Sequence, residues 1–139
     1  MTSTVSQSDA IAAAMKIDGW LTEREARLLY DLAKSATGPI IEIGSWRGRS
    51  TTVLGHGSMA GAGHPVFAVD NFVGVPPTDR VTADGANPGW SSSSPELLRA
   101  NLDQAGVNGL VKIIPVASEF AAEHLPDCSL LFVDGGHDY

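Results

Sequence analysis

Four short apolar runs, each separated from the next by a helix-like segment, most constrain the fold of this chain. They are "PIIEIG" at 39–44, "PVFAVD" at 65–70, "LVKIIPVA" at 110–117 and "SLLFVD" at 129–134. Apolar strands that alternate with helices form parallel sheets, because the crossover helices cover both faces. The sequence therefore predicts an α/β fold with a doubly wound parallel sheet of four strands.

Two helical segments precede the first strand and form a predicted lead-in over residues 1–37. One spans 8–17 with Ser8 or Asp9 as its N-cap. The other spans 22–36, where Thr22 and Glu25 have the spacing of a capping box. Its apolar face is expected to consist of Leu28, Leu29, Leu32 and Ala33.

Two later segments are harder to assign from sequence. The helix that begins at Arg49 is expected to end by Gly55 and Gly57, because glycine weakens helices. Residues 74–94 are rich in Pro, Gly and Ser, which predicts a flexible loop or a lid. We expect residues 1–139 to form a single domain.

The residues that end the four strands indicate where a ligand would bind. They are Gly44, Asp70, the pair Ala117 and Ser118, and Asp134. In doubly wound folds the carboxyl ends of the strands meet at one edge of the sheet, and ligands bind there. Small and acidic residues at these four ends therefore predict a binding site at that edge.

A glycine turn follows the first strand, with Gly44 and Gly48 four residues apart. The helix that follows offers free N–H groups and a positive dipole end to an anion. Asp70 ends the second strand, where an acid bonds ribose hydroxyls in dinucleotide folds. NAD is disfavoured, however, because Trp46 occupies the position at which the dinucleotide fingerprint keeps a bare glycine for the pyrophosphate.

"IEIGSWRGRST", followed by "VFAVD" and "LLFVDGGHDY", resembles the Rossmann-like, cofactor-binding half of class I S-adenosylmethionine-dependent methyltransferases. The most similar branch contains small-molecule O-methyltransferases, including the caffeoyl-CoA, catechol and sugar enzymes. Glu42, Gly44, Gly48 and Ser50 match the pattern of that branch. The resemblance implies the strand order 3-2-1-4 and a sheet of seven strands, of which this chain has the first four. The chain is therefore expected to be incomplete, or to have the edge of its fourth strand covered by another subunit.

The resemblance also implies roles for the cofactor-binding residues. The turn that includes Ser45 and Trp46 would wrap the methionine portion of S-adenosylmethionine, and Ser50 would bond its carboxylate. Asp70 would take the ribose hydroxyls, with Ala117 and Ser118 against the adenine. Two structural alternatives stay open: Ser118 as a plain helix N-cap, and Trp46 as an aromatic residue that packs on the lead-in.

The resemblance further assigns catalytic roles at the end of the fourth strand. Asp134 would act in catalysis and as one ligand of a divalent cation, Mg²⁺, that orients the acceptor oxygen. His137 would accept the hydroxyl proton. The other histidines, His56, His64 and His124, are expected at the surface, and their spacing forms no zinc motif.

The resulting functional hypothesis is methyl transfer to a hydroxyl group of a small-molecule acceptor. One alternative is a cofactor-binding or oligomerisation module without activity of its own, and another is an NAD(P)-dependent oxidoreductase. The fourth strand, as an exposed apolar edge, favours a homo-oligomer that covers it. Arg47 and Arg49 are expected to be solvated or to meet an anionic substrate group.

Charge and composition argue against other partners and compartments. The formal net charge is −7, with nine Lys and Arg, which disfavours nucleic-acid binding. There is no run of about 18 apolar residues, so no membrane span is expected. The first ten residues lack the features of a signal peptide, and Cys128 is the sole cysteine, so we expect a cytoplasmic protein.

Overall fold

The computed structural model describes residues 5–72 and 93–134. Its strands are β1 (Ile40–Ile43), β2 (Val66–Val69), β3 (Val111–Ile114) and β4 (Leu130–Val133). Its helices are α1 (Gln7–Met15), α2 (Glu23–Lys34), α3 (Arg49–Ala60), α4 (Pro95–Gln104) and α5 (Ser118–Ala121), the last continued by a 3₁₀ turn (Ala122–His124). Most of the predicted loop or lid at 74–94 lies outside the described residues, as does His137.

The four described strands form one parallel sheet in the order β3-β2-β1-β4. This confirms the doubly wound α/β fold and the order 3-2-1-4. β1 is central, and Glu42 in it lies opposite Ala68 of β2 and Phe132 of β4. Parallel strands of matching register end together, so β1, β2 and β4 deliver Gly44, Asp70 and Asp134 to the same edge.

The lead-in contains the two predicted helices, with corrections to their details. The capping box of α2 is confirmed, since the Thr22 side chain and the Glu25 side chain each bond the other's backbone N–H. The N-cap of α1 is Ser6 rather than Ser8 or Asp9, because the Ser6 hydroxyl accepts from the Asp9 N–H and so starts the helix earlier.

The buried face of α2 also differs from the prediction. Leu28 and Leu32 are 60% and 43% exposed. The buried residues of α2 are Ala26, Leu29, Tyr30 and Ala33. They are spaced three and four residues apart, as in an amphipathic helix. Leu29 and Ala33 were correctly predicted to be buried. The prediction of Leu28 and Leu32 was wrong, because the buried face is turned toward Ala26 and Tyr30 instead.

α3 continues through Gly55 and Gly57 to Ala60, so the predicted early end of this helix was wrong. The glycines permit close packing instead of ending the helix. A Cβ on Gly57 would lie 2.5 Å from the carbonyl oxygen of Tyr30, and one on Gly55 would lie 2.9 Å from Cβ of Val107. Burial of the whole span from Ser50 to Ser58 outweighs the low helix propensity of glycine.

The two faces of the sheet are covered unequally. Ile40 belongs to a large core built with α1 to α4, whereas its neighbour Ile41 belongs to a small core with Val69 and Ala121. On the small-core face, Leu131 and Val133 of β4 are 54% and 59% exposed. No helix among the described residues has the length and apolar character needed to cross a membrane.

We predict that Gly57→Ala destabilises the protein by about 1–3 kcal/mol, because its Cβ would overpack against the backbone of α2. Gly109→Ala is the matched control, since nothing lies within 4 Å of a Cβ placed there. Urea unfolding of both variants and of the wild type measures the difference. Equal midpoints for the two variants would contradict the close approach of α2 and α3.

Candidate functional site

A cleft of about 160 Å³ lies at the carboxyl end of the sheet. Three parts of the chain form it: the connector between α1 and α2 (residues 16–22), the glycine turn with the start of α3, and the residue that follows β4. The lining residues are Asp18, Gly19, Trp20, Leu21, Gly44, Ser45, Trp46, Arg49, Ser50 and Asp134. Five of the predicted site residues are among them, whereas the connector was not predicted to contribute.

The glycine turn contains three residues with left-handed backbone conformations. Gly44 and Gly48 have φ values of 93° and 102°, and Trp46 has a φ of 47°. A non-glycine residue in this region costs on the order of 1–3 kcal/mol and persists only where its surroundings hold it. The Trp46 carbonyl accepts from the Ser93 hydroxyl at 2.7 Å, and its N–H donates to Asp70. The turn is therefore fixed at both peptide groups of Trp46.

Asp70, the residue predicted to bond the ribose, holds the turn. Its Oδ2 accepts from the Trp46 N–H at 2.7 Å, and its Oδ1 accepts from the Phe72 N–H at 2.9 Å. Phe72 also has a positive φ, of 59°. Each carboxylate oxygen has about two lone pairs, so one on each oxygen is left for a ligand hydroxyl.

Glu42 is fully buried beneath the turn. The Ser50 hydroxyl donates to its Oε2 at 2.5 Å, and the Thr51 hydroxyl donates to its Oε1. Burial raises the pKa of Glu42 to about 7; the two hydroxyl donors oppose this rise, and the nearby charges of Asp134 and Asp70 add to it. Glu42 therefore lies below the cleft as a buried acid that titrates near neutral pH.

The raised pKa of Glu42 gives a stability prediction with a definite sign. Between pH 4.5 and 7 the folded chain binds more protons at Glu42 than the unfolded chain does. The free energy of unfolding therefore falls as pH rises through this window, by about 3 kcal/mol from this group.

Glu42→Gln removes this contribution, so we expect the variant to lose less stability than the wild type between pH 5 and pH 8. Urea unfolding at both pH values measures it. All other carboxylates are shared, so parallel curves for the two proteins would contradict the prediction.

The connector is held against the start of α3 by two arginines. Arg49 donates from Nε to the Ile17 carbonyl at 2.6 Å and from Nη1 to the Leu21 carbonyl at 3.0 Å. Arg47 donates from Nη1 to Asp18 Oδ2 at 2.6 Å. The expectation that these arginines are solvated was therefore wrong, because both organise the wall of the cleft.

Aromatic packing joins the same two segments. The rings of Trp20 and Trp46 lie 4.9 Å apart, and the Arg47 guanidinium lies 4.5 Å from the Trp46 ring centroid. Trp46 therefore packs on the lead-in region, as the structural alternative held, and also lines the cleft. Within the described residues, its Nε1 and the Ser45 Oγ are buried without a hydrogen-bond partner, which leaves two unsatisfied polar atoms in residues that line the cleft.

The remaining predicted residues lie at the same edge with differing roles. Asp134 lines the cleft, and its N–H donates to the Ile43 carbonyl at 2.8 Å. Ala117 is the N-cap of α5 and Ser118 its first residue, so the assignment of Ser118 as the N-cap was wrong. Neither of these two is among the residues that line the cleft.

Metal-ligating side chains are sparse in the part of the chain that the structure describes. Within residues 5–72 and 93–134, no three His, Cys, Asp or Glu side chains could together hold a metal ion. The divalent cation predicted at Asp134 is therefore not supported by a group of such side chains there. His56 was wrongly expected at the surface: it is buried in α3, with its Nε2 2.8 Å from the Ala105 carbonyl oxygen.

The chain matches the family model described as a methyltransferase domain over residues 41–139. It therefore belongs to this methyltransferase-domain family, which confirms the class indicated by its strand order and glycine turn. No curated protein sequence matches the chain.

Three solved structures share the fold. Rv0187 from MTB, in a cofactor-bound structure, is 23% identical with a TM-score of 0.60, over 92% of this chain and 52% of that one. SAH-bound Podospora anserina methyltransferase PaMTH1 is 15% identical with a TM-score of 0.61, over 93% and 49%. An O-methyltransferase from Bacillus cereus in complex with SAH is 19% identical with a TM-score of 0.56, over 93% and 52%. The chain thus spans about half the length of these proteins.

Proposed function

We propose that this chain binds S-adenosylmethionine and belongs to an enzyme that transfers the methyl group to a hydroxyl of a small molecule. The observation that carries the proposal is the glycine turn at the end of β1. It brings a helix N-terminus to a cleft that Ser45 and Trp46 line, in a methyltransferase-family fold. Within the described residues, Ser45 Oγ and Trp46 Nε1 are buried without a hydrogen-bond partner. SAH in two of the similar structures supports this choice of cofactor.

Polar groups at the carboxyl edge of the sheet, in the cleft and beside it, support this choice of cofactor. The N-terminus of α3, with Ser50 in its first turn, suits a carboxylate. The unused lone pairs of Asp70 suit ribose hydroxyls. Ala117 and Ser118 follow β3, the strand next to β2, and this position supports their proposed contact with the adenine.

The chain's own contribution to catalysis would be orientation and proton removal. A sulfonium carries the reactive methyl group, so the protein needs to align the acceptor oxygen behind it and to exclude water. Asp134 lines the cleft beside the turn and would position the acceptor hydroxyl. His137 remains the predicted base. The described residues contain no group of three His, Cys, Asp or Glu side chains that could hold a metal ion for this step.

Calorimetric titration of SAH tests the cofactor assignment, with NAD⁺ as the control ligand. We expect micromolar binding of SAH and none of NAD⁺, because Trp46 stands at the motif position where dinucleotide-binding proteins have a glycine beside the pyrophosphate. Binding of NAD⁺ alone would instead support an oxidoreductase. Absence of SAH binding to a folded chain would contradict the proposal.

The Asp70 and Asp134 variants separate binding from chemistry. Asp70→Ala should weaken SAH binding about tenfold or more, through the lost charge-assisted hydrogen bonds and the released turn. Asp134→Ala should bind SAH nearly as the wild type does. Thermal melts without ligand show whether Asp70→Ala remains folded. Unchanged SAH affinity in folded Asp70→Ala would refute the proposed ribose contact.

The expected homo-oligomer remains a prediction, supported by the exposed Leu131 and Val133 on β4, which lies at the edge of the described sheet. Light scattering should give a mass of at least twice 14.5 kDa. Val133→Lys should lower that mass, since a charge opposes burial of this face. A wild-type mass of 14.5 kDa would contradict the prediction.

A further inference from the structure

Ser50 occupies a position between a buried acid and the cleft. Its hydroxyl contacts Glu42 Oε2 at 2.5 Å, and the residue also lines the cleft. A serine hydroxyl has a single hydrogen to donate. When Ser50 donates that hydrogen to Glu42, its oxygen can only accept from a ligand in the cleft.

The protonation state of Glu42 determines whether this direction can reverse. An ionised carboxylate only accepts, so it holds the hydrogens of both Ser50 and Thr51. A protonated Glu42 can donate one hydrogen bond instead. If it donates to Ser50 Oγ, the Ser50 hydrogen becomes available to a ligand in the cleft. A ligand carboxylate needs that donor and is repelled by the oxygen lone pairs.

We propose that Glu42 controls the donor direction of Ser50, so that the carboxylate of the cofactor binds together with uptake of one proton by Glu42. This inference rests on the proposed function, because it assumes that the ligand carboxylate lies at Ser50 and the N-terminus of α3. Glu42 is then a positioning residue, since it is fully buried and acts through Ser50.

The charged groups around Glu42 favour this sign of the coupling. Asp70 follows the neighbouring strand β2 and Asp134 the neighbouring strand β4, and both raise the pKa of Glu42. The nearest arginine of α3, Arg49, is bonded to carbonyls of the connector. From the connector, Asp18 adds another carboxylate to the cleft. A ligand carboxylate beside Ser50 would raise the pKa of Glu42 further.

The coupling has a calculable size. The pKa of Glu42 is about 7 in the free protein. The fraction of protein with a protonated Glu42, which is the form that binds SAH, therefore falls about tenfold between pH 6 and pH 8, and SAH affinity should fall by the same factor. At pH 8 binding should take up about 0.9 proton per SAH. Calorimetry in two buffers of different ionisation enthalpy measures this uptake.

Three variants isolate the route through Ser50. Glu42→Gln should bind SAH with the same affinity at pH 6 and pH 8, because its amide can always donate to Ser50. Ser50→Ala should also lose the pH dependence and bind about tenfold more weakly at pH 6. Thr51→Val is the matched control: Thr51 donates to the same carboxylate but does not line the cleft, so the dependence should persist at a higher midpoint.

The outcomes distinguish this inference from the proposed function. SAH binding that is independent of pH, or that releases a proton, overturns the coupling while the cofactor assignment stands. An equal pH dependence in the wild type and in folded Glu42→Gln also overturns it, since the titration then belongs to another group. Failure of the folded wild type to bind SAH at pH 6, 7 and 8 sinks the proposed function and this inference with it.

Discussion

The first turn of α3 is fixed in place by a carboxylate buried in the central strand. Glu42 points into the interior from β1, and a buried carboxylate is tolerated only where hydrogen-bond donors meet it. Ser50 and Thr51 supply those donors, so the helix begins directly above the end of the strand. The five residues of the glycine turn must cross this short gap, which requires left-handed conformations.

A second set of contacts gives the cleft its other wall. Arg47 and Arg49 leave the start of α3 and bond the connector between α1 and α2, while Trp46 packs on Trp20. These contacts join residues about 30 positions apart in sequence, so a local sequence pattern does not predict them. "DGWLTERE" predicts a capping box and a helix break at Gly19, but nothing in it indicates that the connector lines the cleft.

The predictable features were those determined by local chemistry. The four apolar runs located the strands, and the match between Thr22 and Glu25 located the start of α2. Gly44, Ser45 and Asp134 lie at the predicted edge. Errors arose where tertiary contact outweighed propensity. α3 continues through Gly57 because its packing on α2 leaves no room for a side chain there. His56 is buried because neighbouring elements cover α3.

The close packing of α2 on Gly57 of α3 also bears on which residues the folded domain includes. The family match starts at residue 41, within β1. Yet α1 and α2 cover α3, whose residues from Ser50 to Ser58 are buried along the helix's whole circumference. Without the lead-in, α3 would present an apolar flank to water, and the connector that bounds the cleft would be missing. The family match is therefore shorter than the set of helices that packs on α3 and bounds the cleft.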